Sequence, residues 1–170
     1  MELWDLFDER RQPLGKTHLR GVPCAPGEYH LVVSIWTVDS RGNILLTLRD
    51  SAKESYPGAW ENTGGSALAG ETSRQAAVRE LMEETGIAAA EDSLLSLDTQ
   101  RTRDTFVDHY LLRRDLPLSD IRLQPGETAA ARWVTLAELD AMIADFSLAK
   151  PIGRQFNEIR NRFLHLLNES

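Results

Sequence analysis

Residues 65–87, GSALAGETSRQAAVRELMEETGI, decide how the rest of the chain is read. Within them Glu80, Glu83 and Glu84 stand at i, i+3 and i+4. On a helix that spacing gathers three carboxylates on one face, within about a turn of each other. Left bare the cluster repels itself, since like charges at i, i+4 cost a few tenths of a kcal/mol per pair. Hard oxygen ligands suit a divalent cation, and Mg²⁺ in particular is held by a few carboxylates together with waters and substrate phosphates. The plain alternative is a solvated acidic face, the ordinary meaning of a charge run.

Working outward, Thr72 followed by Gln75 has the pattern of a capping box, and Gly86 is placed as a C-terminal cap. The spacing predicts a helix from Thr72 through Thr85. Ala77, Val78 and Leu81 are expected to face a sheet while the acidic residues face outward. Before the helix, Gly64 and Gly65 let backbone come close to a phosphate or metal, because they carry no side chain. Glu71 either joins the site or pairs with Arg79, and Arg79 orients a neighbouring carboxylate.

The flanking sequence supplies strands and two more helices. Residues 2–16 read as a small edge hairpin, and 17–27 as an irregular connection. The apolar, β-branched run 29–38 is predicted to be a central strand, with a second at 44–48 and a short one at 60–64 feeding the glycines. Residues 94–103 and 105–113 form a candidate strand pair. In the second of these, Phe106, Asp108, Tyr110 and Leu112 alternate with Val107, His109 and Leu111. A short strand at 131–134 follows the loop that carries Glu127. Thr135 with Glu138 repeats the capping box and starts a helix to about Phe146. A last helix from about Gly153 carries a core stripe of Phe156, Ile159, Phe163, Leu166 and Leu167. Strands, a glycine loop with a helix, more strands and then helices suit a mixed sheet covered on both sides.

The 170 residues suit one domain with its own core, the first 27 forming the hairpin and connection and 28–170 the main body. Hydrophobic content is 42% and charged content 26%, both ordinary for a globular chain. A net charge of −7 argues against nucleic acid as a partner, while a polyanionic small molecule remains accessible where metal ions offset the charge. Cys24 is the single cysteine, so an intrachain disulfide and a thiolate zinc site are excluded. The charged N-terminus and the lack of a membrane-length apolar run lead to the expectation of a cytoplasmic protein without membrane association.

Read from Gly65, the order Gly, five residues, Glu71, seven residues, Arg79-Glu80-Leu81, one residue, Glu83-Glu84, one residue, Gly86-Ile87 matches the signature box of the Nudix hydrolases at every defined position. That resemblance implies an α/β/α sandwich with a mixed β-sheet, in which the box is a loop, a helix and a loop. It implies a metal-dependent hydrolase that cleaves the pyrophosphate bond of a nucleoside diphosphate derivative or related organic pyrophosphate. By resemblance Glu80, Glu83 and Glu84 bind Mg²⁺, with Mn²⁺ as a substitute, and the Gly65 carbonyl contributes to the metal site. The general base in such enzymes lies in the box or on a later loop, which here means Glu83 first and Glu127 second. Many relatives dimerise, so the resemblance is compatible with a homodimer.

Outside the box, Tyr29-His30-Leu31-Val32-Val33, Tyr56-Pro57-Gly58-Ala59-Trp60 and Ala67-Leu68-Ala69-Gly70 resemble the Nudix branch related to isopentenyl-diphosphate isomerase. That isomerase is the alternative activity. It uses a cysteine before the helix and a histidine nearby, where this chain has Asn62-Thr63-Gly64-Gly65-Ser66. His30 stands where the isomerases carry a metal-binding histidine, and without partners it reads as a strand histidine. A non-catalytic nucleotide-binding module is a third reading; such modules show decayed boxes, and this box is complete.

Overall fold

The main sheet is assembled on one strand, β3 (His30–Val38), whose odd and even residues enter two different cores. Leu31, Val33 and Ile35 pack with Ala76, Ala77 and Leu81, whereas Trp36 and Val38 pack with Phe156, Ile159 and Phe163. A strand buried on both faces reads as a continuous apolar run, and that is why it was legible from composition. The computed structural model describes residues 2–169. Around β3 the chain order is β1 (Leu3–Phe7), β2 (Pro13–Leu19), β3, β4 (Ile44–Arg49), β5 (Trp60–Glu61), β6 (Thr63–Ser66), α1 (Ser73–Thr85), β7 (Leu94–Arg101), β8 (Thr105–Arg113), β9 (Thr128–Val134), α2 (Leu136–Ala144) and α3 (Lys150–Asn168).

The sheet is mixed. β8 runs parallel to β3, and β7 is antiparallel to β8. β3 and β4 share only the Val38–Ile44 pair and then diverge. The opening on the β3 side is filled by β6, and β4 is flanked by β5 and β9. With α1 on one face and α2 and α3 on the other, the layers form the expected α/β/α sandwich with a mixed β-sheet. The sequence-level expectation of one short strand over 60–64 is corrected to two, because the chain changes partner at Asn62. Its buried amide donates to Ser34 Oγ at 2.8 Å and to the Ile35 carbonyl at 3.2 Å, which anchors the switch. Glu61 is thereby left beside β4 and Gly64–Gly65 beside α1.

The two capping boxes are present as expected, at Thr72/Gln75 and Thr135/Glu138. Gly86 closes α1 with φ 71°, a left-handed value that favours glycine. α3 starts at Lys150, three residues earlier than the apolar stripe suggests, because Pro151 is tolerated in a first turn. One expectation about α1 fails. Glu84 does not face outward; it is 8% exposed and shares a stripe with Ala77 and Leu81. Four and seven residues are one and two helical turns, so those three positions had to coincide.

The larger core is aromatic: Phe156 lies 4.7 Å from Trp36 and 5.2 Å from Phe163, centroid to centroid. Phe156→Ala is expected to cost about 3–5 kcal/mol, read as a lower denaturant midpoint with an unchanged slope. His109 on β8 is fully buried, and burial lowers its pKa from 6.5 to about 4. Below pH 6.5 the unfolded chain takes up this proton and the folded chain does not. Stability should therefore fall by up to about 3 kcal/mol between pH 6.5 and 4. His109→Gln should flatten that part of the stability–pH curve; an unchanged slope would assign the acid sensitivity elsewhere.

The β1–β2 hairpin forms its own two-stranded sheet and docks on the residues that precede α1. Ala69 N donates to the Leu3 carbonyl at 2.8 Å, and Gly70 N donates to Asp5 Oδ2 at 2.7 Å. Trp4 stacks on His30 at 3.9 Å. The hairpin is thus fixed next to the glycine loop.

Candidate active site

Two backbone–carboxylate approaches define the site. A Cβ on Gly65 would stand 2.5 Å from the Glu80 carboxyl carbon, so the Glu80 carboxylate rests against bare backbone. Gly64 N donates to Glu84 Oε2 at 3.4 Å. Glycine is needed at both positions for different reasons, since a Cβ on Gly64 would stand 2.5 Å from the Val33 carbonyl oxygen. Gly64→Ala is expected to cost about 1–3 kcal/mol by pushing β6 off β3, measured by thermal melt.

Gly64, Gly65, Arg79, Glu80, Glu83, Glu84 and Glu127 all line one cavity of about 250 Å³. Six residues that α1 and the glycine loop place there are joined by Glu127 from the loop before β9. Glu71 is the exception among the sequence candidates. It pairs with Arg79 at 2.7 and 2.9 Å, accepts from Leu68 N at 2.9 Å, and does not line the cavity. The same guanidinium donates to Glu80 at 2.9 Å, Glu83 at 3.1 Å and the Ser66 carbonyl at 3.1 Å. Arg79 is therefore the hub of the acidic face. Among the described residues, no three acidic, histidine or cysteine side chains converge as a ready-made metal cage.

The charges on the wall are unevenly satisfied. Burial, then the neighbouring charges of Glu61 and Glu80, push the Glu84 carboxyl well above the usual carboxylate range. Among the described residues Glu84 makes no ion pair. Burial also raises Glu80, with Arg79 opposing it, whereas the Arg79 hydrogen bond lowers Glu71.

Sequence reasoning missed the opposite wall. Arg49, Lys53, Gln124, Arg20 and Glu2 also line the cavity. Arg49, at the end of β4, donates to Glu61 at 2.8 and 2.9 Å. Lys53 pairs with Glu127, and Arg20 with Glu2 at 2.6 Å. These residues are single positions in loops and strand ends and belong to no spacing pattern that a sequence shows. Cys24 is not on the cavity wall, and the charges it feels are those of Asp104 and Glu28. His30 is likewise absent from the wall, turned instead onto Trp4.

The NUDIX domain family model matches residues 28–156. The chain belongs to the Nudix family. It is 43% identical over 143 residues to a Nudix hydrolase of Listeria monocytogenes, covering 84% of this chain and 85% of the relative. An isopentenyl-diphosphate Delta-isomerase of Nocardia farcinica is 31% identical over 150 residues, covering 82% of this chain and 83% of that one. A solved structure from Deinococcus radiodurans superposes with a TM-score of 0.76 at 27% identity, over 94% of this chain and 98% of its own. With hydrolase relatives and an intact box, the chain is a Nudix pyrophosphohydrolase.

The donor set of the Nudix box fits a hard divalent cation. It offers carboxylate and backbone carbonyl oxygens and has no cysteine or histidine, and one carboxylate, Glu84, is buried without a counter-charge. Burying an unpaired carboxylate is costly, and coordination to a cation is one of the few ways to offset it.

Proposed function

We propose that this Nudix protein hydrolyses the phosphoanhydride of a nucleoside diphosphate derivative or a related organic pyrophosphate, by water attack at phosphorus. The observation that carries the reading is the buried, unpaired Glu84 carboxylate next to Glu80, facing a wall of Arg49 and Lys53. Glu80, Glu83, Glu84 and the Gly65 carbonyl would hold the ion, Mg²⁺ or Mn²⁺. When bound, such an ion polarises phosphoryl oxygen and lowers the pKa of water.

The chain's own residues do the rest. Arg49 and Lys53 grip the phosphates, exchanging Glu61 and Glu127 for phosphate oxygens as the substrate enters. Phosphoryl transfer needs mainly positioning and charge stabilisation, and cations aimed at the phosphates supply both. Glu83 takes the proton from the attacking water, with Glu127 across the cavity as the second candidate. Arg79 sets the rotamers of Glu80 and Glu83, so it positions rather than reacts. Residues 1–170 act as a single domain in this reading, in the cytoplasm, with no nucleic-acid or membrane partner. No helix among the described residues is long and apolar enough to cross a membrane.

Isomerisation of isopentenyl diphosphate is the second reading, favoured by the 31% identity to the Nocardia enzyme. Against it weighs a cavity wall without cysteine or histidine to move a proton at a double bond. A panel of nucleoside diphosphate derivatives, nucleoside triphosphates and prenyl diphosphates, with Mg²⁺ and with Mn²⁺, tests both. Phosphate, pyrophosphate or nucleotide release supports the hydrolase. Dimethylallyl diphosphate formed without phosphate release would replace it with the isomerase.

A further inference from the structure

A second cavity, of about 470 Å³, lies where α2 turns into α3, and none of its residues lines the catalytic cavity. Its volume falls in the range of about 300 to 1,000 Å³ that takes a small organic ligand. Ile143 and Leu148 form an apolar wall, with Phe146 beside them. A Cβ on Gly153 would stand 3.3 Å from Ile143 Cγ2, so α3 closes against α2 there on bare backbone.

Phe146 is the unusual feature. α2 ends at Ala144 with Asp145 as its cap, and Phe146 follows with φ 62°. A left-handed residue just past a helix is ordinarily glycine, and a bulky side chain is disfavoured there. Burying the ring would offset that strain, yet Phe146 is 67% exposed. Lys150 Nζ lies 5.0 Å from the ring centroid, a contact that keeps a cation beside the apolar surface. The fold thus gains little from phenylalanine at this turn, and the ring is open to an occupant.

Charge says which occupant. Lys150 and Arg154 stand at i, i+4 on α3, both exposed and both on the cavity wall. Among the described residues neither pairs with an acidic side chain, so the two cations repel each other on one helix face. Glu158 is the single acid on the wall, which leaves two cations against one carboxylate in a chain whose net charge is −7. An apolar wall edged by one surplus positive charge complements an apolar body with one negative charge. The planar guanidinium fork matches a carboxylate in particular.

We propose that the cavity between α2 and α3 binds a free amphipathic monocarboxylate, whose apolar body covers Phe146 and whose carboxylate meets Lys150 and Arg154. The site goes beyond the hydrolase reading and does not rest on it.

Calorimetric titration of the full chain with octanoate, and with 1-octanol as its uncharged counterpart, tests this. Octanoate is expected to bind saturably at one site, about tenfold or more tightly than octanol, whether or not Mg²⁺ and inorganic pyrophosphate are present. Lys150→Glu and Arg154→Glu should each weaken octanoate binding about tenfold. Phe146→Gly should weaken it at least as much while melting at the same temperature or higher, because glycine adopts this backbone without strain. A phenylalanine that served the fold alone would give the reverse, a lower melting temperature with unchanged affinity, and that result would overturn the site. So would absence of saturable octanoate binding, equal affinity for octanol, or displacement of octanoate by pyrophosphate. Sedimentation supplies the last arm: a dimer that Phe146→Gly dissolves would give this face to a second copy of the chain and overturn the proposal.

Discussion

Glu84→Gln is expected to lower kcat by about 10³-fold while leaving the fold intact. The activity arm follows from the position of the side chain. Glu84 is buried at the back of the cavity, so the amide keeps the shape and the contact to Gly64 N but removes the negative charge. A loss of that size is what removing one preorganised charge from a phosphoryl-transfer site costs. The stability arm has the opposite sign. Without metal, an ionised Glu84 faces Glu80 and Glu61 in a buried setting, so the amide should melt at the same temperature or higher in the presence of a chelator. Adding Mg²⁺ should then raise the melting temperature of the wild type and leave that of the variant almost unmoved, because only a state that binds ligand is stabilised by it. Steady-state rates and melts with and without chelator check both arms. A variant within tenfold of wild-type kcat would show that Glu84 is a buried acid of no catalytic consequence.

Arg79→Ala should be the next most damaging change, through structure rather than chemistry. One guanidinium, 21% exposed, holds Glu71, Glu80, Glu83 and the Ser66 carbonyl together. Removing it leaves three carboxylates near one another with no counter-charge, two of them largely buried. Breaking a fully buried pair costs about 3–5 kcal/mol, and partial exposure here reduces that to about 2–3 kcal/mol. The loss of rotamer control should lower kcat about 10²-fold, with a smaller rise in KM, because misplacement by about 1 Å is enough. Arg79→Lys should recover charge but little activity, since a single ammonium cannot reproduce a fork that reaches acceptors on four residues. Full recovery with lysine would reduce Arg79 to a plain counter-ion.

Much of this fold could be read from the sequence because the signals were local. Both capping boxes, the Gly86 stop and the alternation of Phe106 to Leu112 depend on neighbours close in the chain, and each is present. Element ends were less legible. β9 begins at Thr128, before the apolar residues that marked it, because its start is fixed by pairing with Arg49 on β4. The acidic half of the site was legible through the i, i+3, i+4 spacing, and Gly64 and Gly65 through their place before the helix. The cationic half was not. Arg49, Lys53 and Gln124 belong to no spacing pattern, and only the approach of β4, β5 and the loop before β9 brings them to the cavity. Glu84 belongs equally to the acidic face and to the Ala77–Leu81 stripe, and spacing alone does not decide between them; packing buries it.

The most direct test is Mn²⁺ binding to the full chain, followed by electron paramagnetic resonance with and without inorganic pyrophosphate. The expected result is saturable binding to the wild type that tightens with pyrophosphate and is lost in Glu84→Gln. Undiminished binding to that variant, or no binding to the wild type, would contradict the assignment of this helix face as the site of the metal.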